Sequence, residues 1–141
     1  MQTVNDWKAF PNFKSGEMAC RCSDPRCPGK TAPVSEEFMQ RLQRARTRAG
    51  VPFSITSCCR CVAHNRAIGS NDSSDHVCGN GRVTCGADIA AADSSRRFRI
   101  LQALFAEGFD RIAVSFERNF IHVGIGKNLG GVNDSDVSWR Y

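Results

Sequence analysis

The chain carries three histidines, His64, His76 and His122. His76 lies in a polar stretch, His122 sits amid an apolar run, and Asp88 stands between them in a short apolar segment. A lone histidine in an apolar strand is more often a hydrogen-bonded core residue than a ligand. Two imidazoles and a carboxylate together are the donor set of a catalytic zinc centre, where three protein ligands leave a fourth position for water. The eight cysteines suggest a second chemistry. They fall into three groups: Cys20, Cys22 and Cys27; Cys58, Cys59 and Cys61; Cys78 and Cys85. An even count with local clustering points to disulfides in an oxidising compartment or to a thiolate metal site. The spacings lack the two C-x-x-C pairs of a zinc ribbon, which favours disulfides.

These residues need elements to hold them. Residues 1–30, with Pro11, Pro25 and Pro28, read as loop. Val34, Phe38, Leu42, Ala45 and Ala49 recur at helical spacing, with Thr31 or Ser35 to cap the helix and Gly50 to end it. Its arginines Arg41, Arg44, Arg46 and Arg48 read as a solvated face. Residues 51–57 alternate as a strand. Residues 63–68 suit a short helix, 69–86 an extended loop without hydrophobic period, and 87–90 a second short strand. A second long helix is expected over 94–107, capped by Asp93 or Ser94 and stopped by Gly108, with Phe98, Leu101, Leu104 and Phe105 as its buried stripe. Residues 111–116 and 120–125 form an antiparallel hairpin around Glu117-Arg118-Asn119. The expected fold is α+β: two main helices packed on a small antiparallel sheet, in one domain over residues 1–141.

Composition narrows the function. The 141 residues carry a net charge of +5, with 41% hydrophobic residues, the profile of a globular domain. That charge suits polyanionic surroundings, including bacterial cell wall, without choosing among them. No basic block with interleaved aromatics is present and there is one Tyr, so no nucleic-acid partner is expected. No apolar run reaches 18 residues, so no membrane span is expected. The start, MQTVNDWKAFPNF, lacks the pattern of a secretory signal peptide.

Ser74-Asp75-His76-Val77-Cys78-Gly79, followed by Gly86-Ala87-Asp88-Ile89, resembles the Ser-x-His-x-x-Gly-x-Ala-x-Asp-Ile signature of the M15 peptidases. These are the zinc D-Ala-D-Ala carboxypeptidases and related phage endolysins. Upstream, Ser57-Cys58-Cys59-Arg60 with His64-Asn65 resembles the family's Ser-Gly-Tyr-Arg and His-Asn. Downstream, Phe120-Ile121-His122-Val123 resembles the segment bearing the third ligand. Glu17-Met18-Ala19-Cys20 and the closing Trp139-Arg140-Tyr141 extend the likeness over nearly the whole chain, in order.

The resemblance implies a Hedgehog/D-Ala-D-Ala peptidase-like fold and a zinc ion held by His76, Asp88 and His122. Arg60 would grip a substrate carboxylate or the developing oxyanion, and Ser74 would hydrogen-bond near the site. The substrate would be the peptide stem of peptidoglycan, reached in the periplasm or outside the cell, by an enzyme of bacterial or phage origin. The alternative is a catalytically degenerate zinc- or wall-binding module of a larger assembly, such as a phage virion or tail. This chain departs from the family pattern in three ways. Asn80 to Cys85 are extra between the first His and the Asp, and a Cys78–Cys85 disulfide is expected to pinch them off. The N-terminal cysteines are expected to lie against the 58–61 group. Cys58 and Cys59 stand where the family has Gly and Tyr. The family's acidic residue, three before the last His or two after it, is replaced by Asn119 and Gly124. Glu117 is therefore the expected general base, with Asp75 and then His64 behind it.

Overall fold

The computed structural model describes residues 2–126 and the strand Val137–Arg140; the intervening glycine-rich stretch and Tyr141 of the closing motif lie outside the described residues. The helices are α1 (Ser15–Met18), α2 (Glu36–Ala49), α3 (Val62–Ala67) and α4 (Ser94–Ala106). The strands are β1 (Ile55–Ser57), β2 (Arg60–Cys61), β3 (Val77–Cys78), β4 (Gly86–Ala90), β5 (Arg111–Ser115), β6 (Phe120–Gly124) and β7 (Val137–Arg140). Five strands form one sheet in the order β1-β4-β6-β5-β7. Its first four strands are antiparallel neighbours, and β7 joins β5 in parallel. The architecture is α+β, with the expected antiparallel sheet extended by one parallel edge strand. No helix among the described residues is long and apolar enough to cross a membrane.

α2 forms where expected. The Ser35 side chain accepts from the Phe38 N–H at 3.2 Å, and Gly50 closes the helix in the left-handed region at φ 66°, the two ends that unpaired helical amides and carbonyls need. Phe38, Met39, Leu42, Ala45 and Ala49 are buried. Three of its arginines do more than face solvent. Arg41 donates to the Gly108 carbonyl, and Arg44 and Arg48 both pair with Glu107, tying α2 to the end of α4.

α4 has the expected Asp93 cap, whose carboxylate accepts from the Arg96 N–H at 2.8 Å. Its buried stripe is rotated from the expected one. Ile100, Ala103 and Leu104 are buried, Leu101 is half-buried, and Phe98 and Phe105 are exposed. Apolar residues lie all round this helix, so periodicity alone did not select a face. Packing against α2 and the Glu107 pairs favour the face carrying small Ala103.

The 69–86 stretch is more ordered than its composition suggests. β3 pairs in parallel with β2, setting Arg60 opposite Val77 and Cys61 opposite Cys78. The extra residues are not closed by a disulfide: all eight cysteines are free thiols. Gly79 and Arg82 exchange backbone hydrogen bonds of 3.1 and 3.0 Å around Asn80 (φ 54°) and Gly81 (φ 80°). Asn-Gly with both residues at positive φ is the preferred two-residue hairpin turn. The Cys78 sulfur instead faces the Arg60 carbonyl and the Cys85 sulfur the Asp75 carbonyl.

Candidate metal centre

The sheet register sets two of the three candidate ligands side by side. Asp88 on β4 pairs directly with His122 on β6, and paired residues project to the same face. His76 enters from the loop before β3. Its carbonyl accepts from the Arg60 N–H at 2.8 Å and the Thr84 hydroxyl at 2.9 Å, while its own N–H donates to the Ser74 hydroxyl at 3.3 Å. Ser74 thus holds the backbone of the residue it was expected to lie near.

All three side chains are buried, and their donor atoms converge. His76 Nε2 is 3.1 Å from His122 Nδ1 and 3.2 Å from Asp88 Oδ1; His122 Nδ1 is 3.0 Å from the same oxygen. The outer ring atoms fix the tautomers. His76 Nδ1 lies 2.7 Å from the Cys58 carbonyl, which can only accept, so that nitrogen carries a proton. His122 Nε2 lies 3.0 Å from Asp75 Oδ2, which also accepts from Arg111 Nε at 2.8 Å, so it carries its proton too. With both rings neutral, two nitrogen lone pairs and a carboxylate face one another with no hydrogen between them.

Such a trio needs a cation. Burial pulls the His122 pKa down, but Asp75 and Asp88 outweigh it and hold the imidazole above its ordinary value. Burial also lowers His76, and here the carboxylate does not reverse it. For Asp88, burial alone would raise the carboxyl, yet His76 and His122 push it well below the usual range. The protein can therefore hold one proton at this point, and a divalent ion fits the same place. Nitrogen and oxygen ligands about 2.0–2.1 Å from zinc lie about 3.3 Å apart at tetrahedral corners. The observed separations of 3.0 to 3.2 Å match that spacing without rearrangement.

The ring around the trio is equally specific. Arg60 donates to Asp88 Oδ2 at 3.2 Å, to the Ser57 hydroxyl at 3.0 Å and to the Asn65 side-chain carbonyl at 3.3 Å. Asp75, the residue considered as a base behind Glu117, is an orienting group for His122. Burial would raise its pKa, but His122 and Arg111 hold the carboxyl below its ordinary range. Its slot is made by two glycines paired across β4 and β6. A Cβ on Gly124 would come 2.5 Å from Asp75 Oδ2, and one on Gly86 would come 2.5 Å from Asp75 Cβ. The acid missing two residues after His122 is thus replaced in space by the Asp75 carboxylate. The sequence signal for this lay in Gly86 and Gly124, but it needs the β4–β6 register to be legible.

The remaining expected residues lie at different distances from this centre. His64 is half-buried on α3, and Glu117 is exposed in the β5–β6 turn. At about 3.3 Å per strand residue, Phe120 begins β6 roughly 7 Å from His122, and Glu117 lies beyond it in the turn.

A family model described as Peptidase M15 matches residues 11–124. No curated protein matches the chain.

Proposed function

The chain belongs to the M15 peptidase family, and from that premise we propose that it is a zinc-dependent hydrolase of the peptidoglycan peptide stem, with the Hedgehog/D-Ala-D-Ala peptidase-like fold. The observation that carries the metal is the convergence of three buried donor atoms 3.0 to 3.2 Å apart. Zinc held there supplies Lewis acidity for a peptide carbonyl and for the attacking water. The chain's own residues do the rest. Cys58 and Asp75 keep the two imidazoles in the tautomers that present a lone pair. Arg60 steadies the outer oxygen of Asp88 and is proposed to meet the substrate carboxylate or the developing oxyanion, which suits its permanently charged fork. Ser74 anchors His76 from below. Glu117, exposed in the β5–β6 turn, is the proposed base. The net charge of +5 suits an anionic wall outside the membrane.

The test is to incubate the purified chain with stem peptides and with intact peptidoglycan, and to identify the fragments by mass spectrometry. Cleavage that a chelator abolishes and zinc restores is the expected result. Absence of any new fragment from either substrate would refute the peptidase assignment.

One observation favours a second reading. The Asp75 carboxylate is already bonded to His122 and Arg111, and Glu117 is exposed on a turn. A chain lacking a carboxylate over the metal would bind wall peptide without cutting it, as a module of a larger assembly such as a phage tail. Turnover of the wild-type chain decides between them, and Glu117→Gln then tests the base. As a base, its loss lowers turnover about a hundredfold or more with metal retained; unchanged turnover removes it from the mechanism.

A further inference from the structure

Away from the His–Asp–His centre, the sulfurs of Cys20, Cys22, Cys27 and Cys61 lie within 4.8 Å of one another, and Cys22 and Cys61 are 4.0 Å apart. We propose that these four thiolates form a second, structural zinc site that pins the N-terminal segment to β2.

Four thiolates about 2.3 Å from zinc sit about 3.8 Å apart at tetrahedral corners. The cluster needs to contract by at most about one ångström. The surroundings are built for negative sulfur. The Cys61 N–H donates to Cys20 Sγ at 3.4 Å, the Gly29 N–H to Cys27 Sγ at 3.2 Å, and the His64 N–H to Cys61 Sγ at 3.4 Å. Lys30 Nζ, bonded to the carbonyls of Cys20 and Cys22, brings a positive charge alongside. Gly29 is required for the approach, because a Cβ there would lie 2.5 Å from Cys20 Cβ and 3.4 Å from Cys27 Sγ.

The bland alternative is that these are buried thiols acting as small apolar groups, as free cysteines often do. Composition argues against it. Cys20, Cys27 and Cys61 form a hydrophobic cluster separate from the main core, with only Cys22 packed on it. A cluster made of sulfur alone buries little apolar area. Three ligands come from that segment, and the fourth follows Arg60 directly. Four protein ligands close the coordination sphere, the mark of a structural rather than catalytic ion.

The test uses the full chain purified under reducing conditions without chelator. An organomercurial that reacts with thiolates is titrated in while a colorimetric zinc indicator records release. The inference expects about one equivalent of zinc to leave as about four thiols react. It also expects His122→Ala to keep this zinc and Cys20→Ser/Cys27→Ser to lack it. Failure of the peptidase reading leaves these expectations intact, because the His–Asp–His centre has no thiol to attack. Thiol modification without zinc release, iron in place of zinc, or a disulfide within the four would each overturn the inference. If the double serine variant does not fold, the wild-type titration still decides.

Discussion

His76, Asp88 and His122 are presented by a buried loop and two central strands, and each ligand is held from behind by a hydrogen bond. Cys20, Cys22, Cys27 and Cys61 come instead from a loop-like segment and the end of a two-residue strand. The first group is rigid before any ion arrives: its donor atoms already stand 3.0 to 3.2 Å apart. In the second group the Cys22 and Cys61 sulfurs are 4.0 Å apart, and on our proposal it would gain its rigidity from the ion it binds. The difference follows from the work each would do. A reactive centre needs fixed geometry with one position open, and a sheet provides it. A clip needs all its ligands satisfied and can be strung on loops, because binding energy becomes folding energy.

The comparison breaks most sharply at His122. His122→Ala removes one of three donors from the open centre, so metal bound there and metal-dependent turnover should both be lost. Melting should shift far less, because the rest of the core around Ile121 and Val123 remains buried. Metal content and turnover of the purified variant check this. Full metal occupancy with activity would show that the trio is not the reactive centre.

A smaller effect is expected one step outward. Asp75→Asn keeps the shape but removes the charge that holds the His122 proton on Nε2. Loss of such an outer partner typically costs about 10- to 100-fold in metal affinity, and competition with a chelator of known affinity measures it. Gly124→Ala should act through the same residue, since the added carbon would lie 2.5 Å from Asp75 Oδ2. Neither change should disturb the cysteine group. A matching drop in its metal affinity would show that the two sites are not independent.

The fold was legible where local chemistry and burial agree. α2 has a serine cap, a single apolar stripe and a terminal glycine, and all three signals point one way. The grouping of His76, Asp88 and His122 was legible because they stand in recognisable sequence frames. What was not legible depended on pairing between distant segments. The β2–β3 bridge is two residues long and has no period to detect. The Asp75 slot exists only once Gly86 and Gly124 are opposite each other. The cysteines were read as disulfides because sequence supplies their number but not their convergence. Cys61, from 34 residues beyond Cys27, lies against the N-terminal three, while Cys78 and Cys85 turn to separate carbonyls. The face of α4 was misread because Phe98 and Phe105 compete with Ile100 and Leu104, and only the partner helix decides.

The smallest expected effect lies far from both metal-binding groups and serves as their control. Glu107, at the end of α4, accepts from Arg44 and Arg48 of α2 at 2.8 and 3.1 Å. The hydrogen bond from Arg44 is the main influence holding its carboxyl below the ordinary value, with Arg48 adding to it. Both arginine side chains are more than half exposed, so screening limits the pair to about 0.2–1 kcal/mol. A depressed folded-state pKa contributes stability above the unfolded value, about 4.3 for Glu, and that stability is lost as pH falls through the folded value. Glu107→Gln should therefore unfold slightly more easily than the wild type at neutral pH, and the gap should narrow at acid pH, once the pH has fallen below the unfolded value. Denaturant titrations at the two pH values measure both halves. The variant should keep its metal at both sites and its full turnover. If it lost metal at either one, the α2–α4 clamp would have to be counted as part of the frame that positions that site.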